Sequence, residues 1–109
     1  MSKMKVNENS IIFKTNDTHK GGELIGICSG AKNGFSMGIS EYFLNEFGQV
    51  GIHDQEGFYV IEGCGTALVE EEFSIKKGDS FLVPANTEHV LKKDKNSKTL
   101  KVLWSHGAI

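Results

Sequence analysis

Three side chains in this sequence are of the types that together hold a divalent cation: His53, Glu56 and His89. Two neutral imidazoles and one carboxylate form a facial set of donors that leaves positions open for water, dioxygen or substrate. The set suits non-heme iron(II); Mn, Ni or Zn also fit, because affinity alone does not select the metal. His53 lies three residues before Glu56. If Asp54 and Gln55 form a two-residue hairpin loop, His53 and Glu56 close it as an opposed pair, with Cβ atoms about 4.5–5.5 Å apart on one face. Asp-Gln is not a favoured hairpin dipeptide, so the form of this loop stays open.

Past Glu56, alternation with period two places Phe58 and Val60 on the face of Glu56, and Tyr59 and Ile61 on the other. A carboxylate on an apolar face has to be paired, protonated or ligating. His89 follows an apolar segment and the turn 84–88. Pro84 fixes the chain where that segment ends, and Asn86 tolerates positive φ, so the turn can aim His89 back toward the same interior.

Strands have to position these groups, because no segment keeps a helical period. Apolar, β-branched and aromatic runs separated by Gly and polar residues predict strands at 11–15, 23–28, 36–44, 50–53, 57–62, 66–70, 72–75, 80–83, 89–92 and 100–104. Many short strands at even spacing indicate an all-β sandwich or closed barrel, and closure removes exposed edges. Gly63-Cys64-Gly65 reads as a turn. In the predicted barrel Phe58, Val60, Phe81 and Val83 wall a pocket.

The spacing also resembles that of the cupins. Their second motif, G-x5-P-x-G-x2-H-x3-N, is matched by Gly78, Pro84 and His89, with Asn86 where the motif has Gly and Lys93 where it has Asn. Their first motif, G-x5-H-x-H-x(3,4)-E-x6-G, is matched in its second half by Glu56 and Gly63, and the first half holds a single His. Two alignments follow. With His53 as the second His, Gly51 replaces the first and three protein ligands remain. With His53 as the first, Gln55 replaces the second and offers its amide oxygen as a weak donor. The first is preferred because it leaves a workable turn. The resemblance covers about residues 48–104 of one domain spanning 1–109. It implies a double-stranded β-helix (jelly-roll) barrel, a small-molecule ligand and commonly a homodimer. It implies no particular reaction, since cupins include dioxygenases, isomerases, decarboxylases and non-catalytic sugar or metabolite binders.

The remaining features narrow the setting. A net charge of −2 supplies no basic excess to recruit nucleic acid. Apolar runs of a few residues fall far short of the ~20 that cross a bilayer, and residues 1–5 lead into polar sequence without an apolar signal core. That favours the cytoplasm, as does the presence of two cysteines only, Cys28 and Cys64. Cys28 follows Leu24-Ile25-Gly26-Ile27 and is expected as a buried strand thiol. Glu62 is expected to face solvent. Tyr59 is expected in packing or a dimer contact, Trp104 in the core or an interface, His106 as a solvated residue after the last strand, with a role behind the metal ligands as its alternative, and His19 in a loop without a partner.

Overall fold

The computed structural model of the chain describes residues 5–107. Eight strands account for its regular structure: β1 (Lys14–Thr15), β2 (His19–Ile25), β3 (Ser36–Tyr42), β4 (Glu56–Val69), β5 (Glu71–Lys76), β6 (Ser80–Val83), β7 (His89–Lys93) and β8 (Leu100–His106). All pairings are antiparallel, in the path β1-β2-β3-β8-β4-β5, with β6 and β7 also paired to β4. The result is a double-stranded β-helix barrel.

β4 is the element that joins the two halves. Its first part, from Glu56, pairs with β8 on one side and β6 on the other. Its last part, Cys64–Val69, pairs with β5, and Gly65–Val69 also with β7. The sequence suggested two strands with a turn at Gly63-Cys64-Gly65; the chain instead runs on through the glycines as one strand of 14 residues. Glycine inside a strand marks a bend as often as a turn. Gly63 has φ of +89°, and a Cβ there would run into the Thr99 carbonyl. The ladder with β8 shifts register between Val60 and Glu62, just before this point. A bulge and a left-handed glycine thus let one strand leave the first sheet and enter the second.

Alternation along β4 follows the expected faces. Glu56, Phe58 and Val60 are buried, Tyr59 is 45 % exposed, and Glu62 faces solvent. Val60, Leu91, Leu100 and Val102 are fully buried and form the centre of the core with Phe58, Ala67 and Val83. Phe58 stacks on Phe81 at 4.9 Å between ring centres.

Three further expected strands differ. Residues 50–53 form only one bridge, Gly51 to His89, because Glu56 is drawn into pairs with Val83 and His106. The proposed two-residue hairpin closed by His53 and Glu56 therefore does not form. The strand expected at 11–15 is reduced to Lys14–Thr15. The segment 23–28 starts earlier, at His19, and ends at Ile25; Ile27–Ser29 forms a 3-10 turn closed by Gly30 at φ 96°, leaving Cys28 exposed rather than buried. No helix among the described residues is long and apolar enough to cross a membrane.

Candidate functional site

One end of the barrel opens into a cavity of about 460 Å³. Phe58, Tyr42 and Trp104 supply its apolar wall, while Val60, Phe81 and Val83 pack behind it rather than lining it. The polar side chains that line it include Ser40, His53, Glu56, His89 and His106, together with His19, Lys14 and Gln49.

Glu56 lies at the centre. It begins β4, is 5 % exposed, and is flanked by two imidazoles. His89 Nε2 approaches Oε1 at 3.2 Å and His106 Nε2 approaches Oε2 at 3.2 Å. The first contact is close enough for an ion pair but is not aligned as a hydrogen bond, so Oε1 stays buried without a hydrogen-bond partner. His89 is buried at the start of β7, where the turn after Pro84 delivers it; Asn86 adopts φ of 61°, and its backbone N–H donates to the His53 carbonyl at 2.9 Å. His53 is exposed on the connection before β4, yet its ring lies 5.7 Å from that of His89 and 5.4 Å from that of His106. The three residues read from the sequence are therefore brought to one place. Gln55 is not: it is exposed, and its amide nitrogen donates to the Gly107 carbonyl at 3.2 Å.

Two contributors were not placed in the site by the leading sequence reading. His106, expected as a solvated residue, is the last residue of β8 and the register partner of Glu56. Its Nδ1 lies 2.6 Å from Asp54 Oδ1. His19 opens β2 opposite Tyr42 and stacks on it at 4.7 Å. Burial holds the His19 imidazole below its ordinary range. An extension of each flanking strand by a few residues was the available signal, but polar neighbours masked it in both cases. Trp104 is half-buried, and its Nε1–H donates to Ser40 Oγ at 3.1 Å.

Electrostatics follow from burial around one carboxylate. Contact with Glu56 pulls the His89 imidazole above its usual range; burial opposes this, and the charge of Glu56 and the Thr87 carbonyl add to it. The phenol of Tyr42 is also raised, first by burial and then by the charge of Glu56, so it remains a neutral O–H donor facing the cavity. A raised imidazole stabilises the fold below the unfolded value of 6.5 and loses that contribution as pH rises through the folded value. Metal-free protein is accordingly expected to unfold at progressively lower temperature as pH is raised upward from 6.5, and His89→Gln to flatten this slope. Thermal unfolding at a series of pH values in chelator checks it; an identical slope in the variant rules out His89 as its source.

Among the described residues no three His, Cys, Asp or Glu side chains already enclose a point as a metal cage. The donors instead touch one another, nitrogen to carboxylate. Their chemistry nonetheless fits a divalent cation. Both Nε2 atoms face the carboxylate, and each ring turns Nδ1 toward an acceptor, Thr87 O at 3.4 Å for His89 and Asp54 for His106. Ligating histidines are oriented in this way, and a buried carboxylate oxygen without a hydrogen bond is the group a cation would satisfy.

A family model described as "Cupin domain" matches residues 51–106, just over half of the chain. No curated protein sequence matches it. Among solved structures, the polyketide cyclase RemF from Streptomyces resistomycificus superposes with a TM-score of 0.79 at 16 % identity, over 93 % of this chain and 76 % of that one. KdgF from a Halomonas species gives 0.70 at 14 % identity, over 92 % and 90 %. An RmlC-like cupin family protein with a double-stranded β-helix fold from Methanocaldococcus jannaschii gives 0.68 at 15 % identity, over 90 % of each chain. Likeness at such identities speaks for the fold alone.

Proposed function

Starting from the premise that the chain belongs to the cupin family, we propose that it binds one divalent metal ion through His53, Glu56 and His89 and acts on a small organic molecule in the cavity beside them. The observation that carries this reading is the buried Glu56 carboxylate, set among imidazoles, with Oε1 lacking a hydrogen bond. Fe, Mn, Ni and Zn all suit the donor set. When bound, such an ion supplies Lewis acidity toward a carbonyl or enolate oxygen of the substrate. The chain's own groups do the rest. Phe58 and Trp104 exclude water from one side, Tyr42 offers a neutral O–H to a substrate oxygen, and His19 braces the Tyr42 ring. Oxygenase, isomerase and decarboxylase chemistry all fit this arrangement, and the fold favours none of them.

A second reading is a non-catalytic barrel that captures a small sugar or metabolite. The glycine at position 51, where the family motif has its first histidine, favours it, as does the lack of a preformed cage among the described residues. Elemental analysis separates the two. About one metal per chain is expected under the first reading. No metal, with no uptake on titration, overturns it, and a ligand that stabilises metal-free protein without turnover then establishes the second.

The proposal includes a cytoplasmic homodimer. Tyr59 and Leu82, 45 % and 60 % exposed on the outer face of β4 and β6, form an apolar surface with Met37 and Leu103 that a second copy would cover. Light scattering that finds a strict monomer at high concentration overturns this part.

A further inference from the structure

We propose that His106 is a fourth protein ligand of the ion, supplied by the last strand in place of the imidazole that position 51 lacks, and that Asp54 is its positioning residue. The inference rests on the metal-binding reading above and extends it beyond the motif residues.

The backbone sets up the placement. Glu56 and His106 are direct partners in the β4–β8 ladder, so their side chains stand on one face. A carboxylate oxygen only accepts, so the 2.6 Å contact with Asp54 Oδ1 fixes the proton of His106 on Nδ1. Nε2 is then the atom presented to the site, 3.2 Å from Glu56 Oε2. His89 mirrors this on the other oxygen, with Nδ1 toward Thr87 O and Nε2 3.2 Å from Oε1. One carboxylate thus has an equivalently prepared imidazole on each side. The Nε2 contact gives His106 a second partner besides Asp54, the buried acid at the centre of the site.

Position 51 explains why a donor from outside the motif is needed. A Cβ built on Gly51 would lie 3.3 Å from His53 Nε2 and 3.6 Å from His89 Cε1, so this position faces the cluster but brings no donor. His106 reaches the same carboxylate from the opposite strand, and its ring meets that of His53 edge to face at 5.4 Å. The motif has lost one imidazole, and the end of the barrel wall holds another at the same acid.

The test is a Co(II) titration of the full chain, followed by visible absorption and by the hyperfine-shifted imidazole N–H signals in NMR. Each ligating imidazole keeps one N–H, so the unaltered protein is expected to show three such signals, from His53, His89 and His106. His106→Ala should lose one of them, change the visible spectrum and weaken Co(II) binding by more than the about 10–100-fold that loss of an outer hydrogen-bond partner costs. Asp54→Ala should weaken it by about 10–100-fold, and Asp54→Asn, which keeps an acceptor, should recover part of that loss. Unchanged affinity and spectrum in His106→Ala overturn the proposal and leave His53, Glu56 and His89 as the ligands. No Co(II) uptake by the unaltered protein overturns the metal-binding reading itself. Should His106→Ala fail to fold, Asp54→Ala decides: an unchanged spectrum and affinity count against the proposal.

Discussion

Glu56→Met is expected to raise the thermal midpoint of the metal-free protein at alkaline pH while abolishing the stabilisation that metal provides. The expectation follows from what Glu56 does in each state. Without metal its carboxylate is buried, with one oxygen lacking a hydrogen bond, at a place where desolvation is only partly offset. Replacing a buried ionic group by an apolar one of similar size is often neutral or stabilising, by about 1–4 kcal/mol. Loss of a partner usually leaves a naked buried charge, but the partners left here are imidazoles rather than permanent cations. The His89 contribution, present at low pH, is absent there and does not confuse the comparison. With metal, the account reverses. A ligand at 100 times its Kd stabilises the native state by about 2.7 kcal/mol, roughly 10–20 °C for a domain of this size, and the variant should lose that shift. Thermal scans of both proteins in chelator and in excess Zn(II) check both halves. A variant that is 3–5 kcal/mol less stable in chelator, about the cost of breaking a structural buried pair, would make Glu56 a structural rather than a functional acid.

Which parts of the site were legible in the sequence follows from how locally each residue is placed. His89 could be placed because its delivery is local: Gly78 turns at positive φ, Pro84 ends β6, and Asn86 adopts the left-handed conformation that the spacing required. Glu56, Phe58 and Val60 could be placed because one strand's alternation suffices, and their burial follows it. His106 could not. Its role depends on the register of β8 against β4, and its contact with Asp54 spans 52 positions along the chain, a relation no local pattern encodes. His19 was hidden in the same way, since its stacking on Tyr42 is a fact of the β2–β3 ladder. The hairpin at Asp54-Gln55 failed for the complementary reason: local geometry allowed it, but pairing of Glu56 with two other strands won. Glycine was the other source of error. Gly63 and Gly65 mimic a turn in sequence, but in the barrel they let a long strand bend while staying paired.

The largest effect on folding is expected from β7. Leu91 is fully buried and stands opposite Ala67 of β4, two residues beyond His89 on the same face of the strand. Leu91→Ala removes apolar contacts at the centre of the core and leaves a cavity, at about 2–5 kcal/mol. Against a total of about 5–15 kcal/mol for a domain, that is a large fraction, and the thermal midpoint should fall by roughly 10–40 °C. Ile12→Ala, at a position 93 % exposed, should stay within about 0.5 kcal/mol. Urea unfolding should show the difference as a lower midpoint at unchanged slope. Leu91 does not line the cavity, so the fraction of Leu91→Ala that remains folded should bind Co(II) with nearly unaltered affinity. Packing and ligation would then separate along one strand: the leucine fills the core between β7 and β4, while the β4–β7 ladder keeps the imidazole two residues earlier trained on the acid. A Leu91→Ala protein of full stability would mean that β7 does not form the barrel interior, and the geometry delivering His89 to Glu56 would go with it.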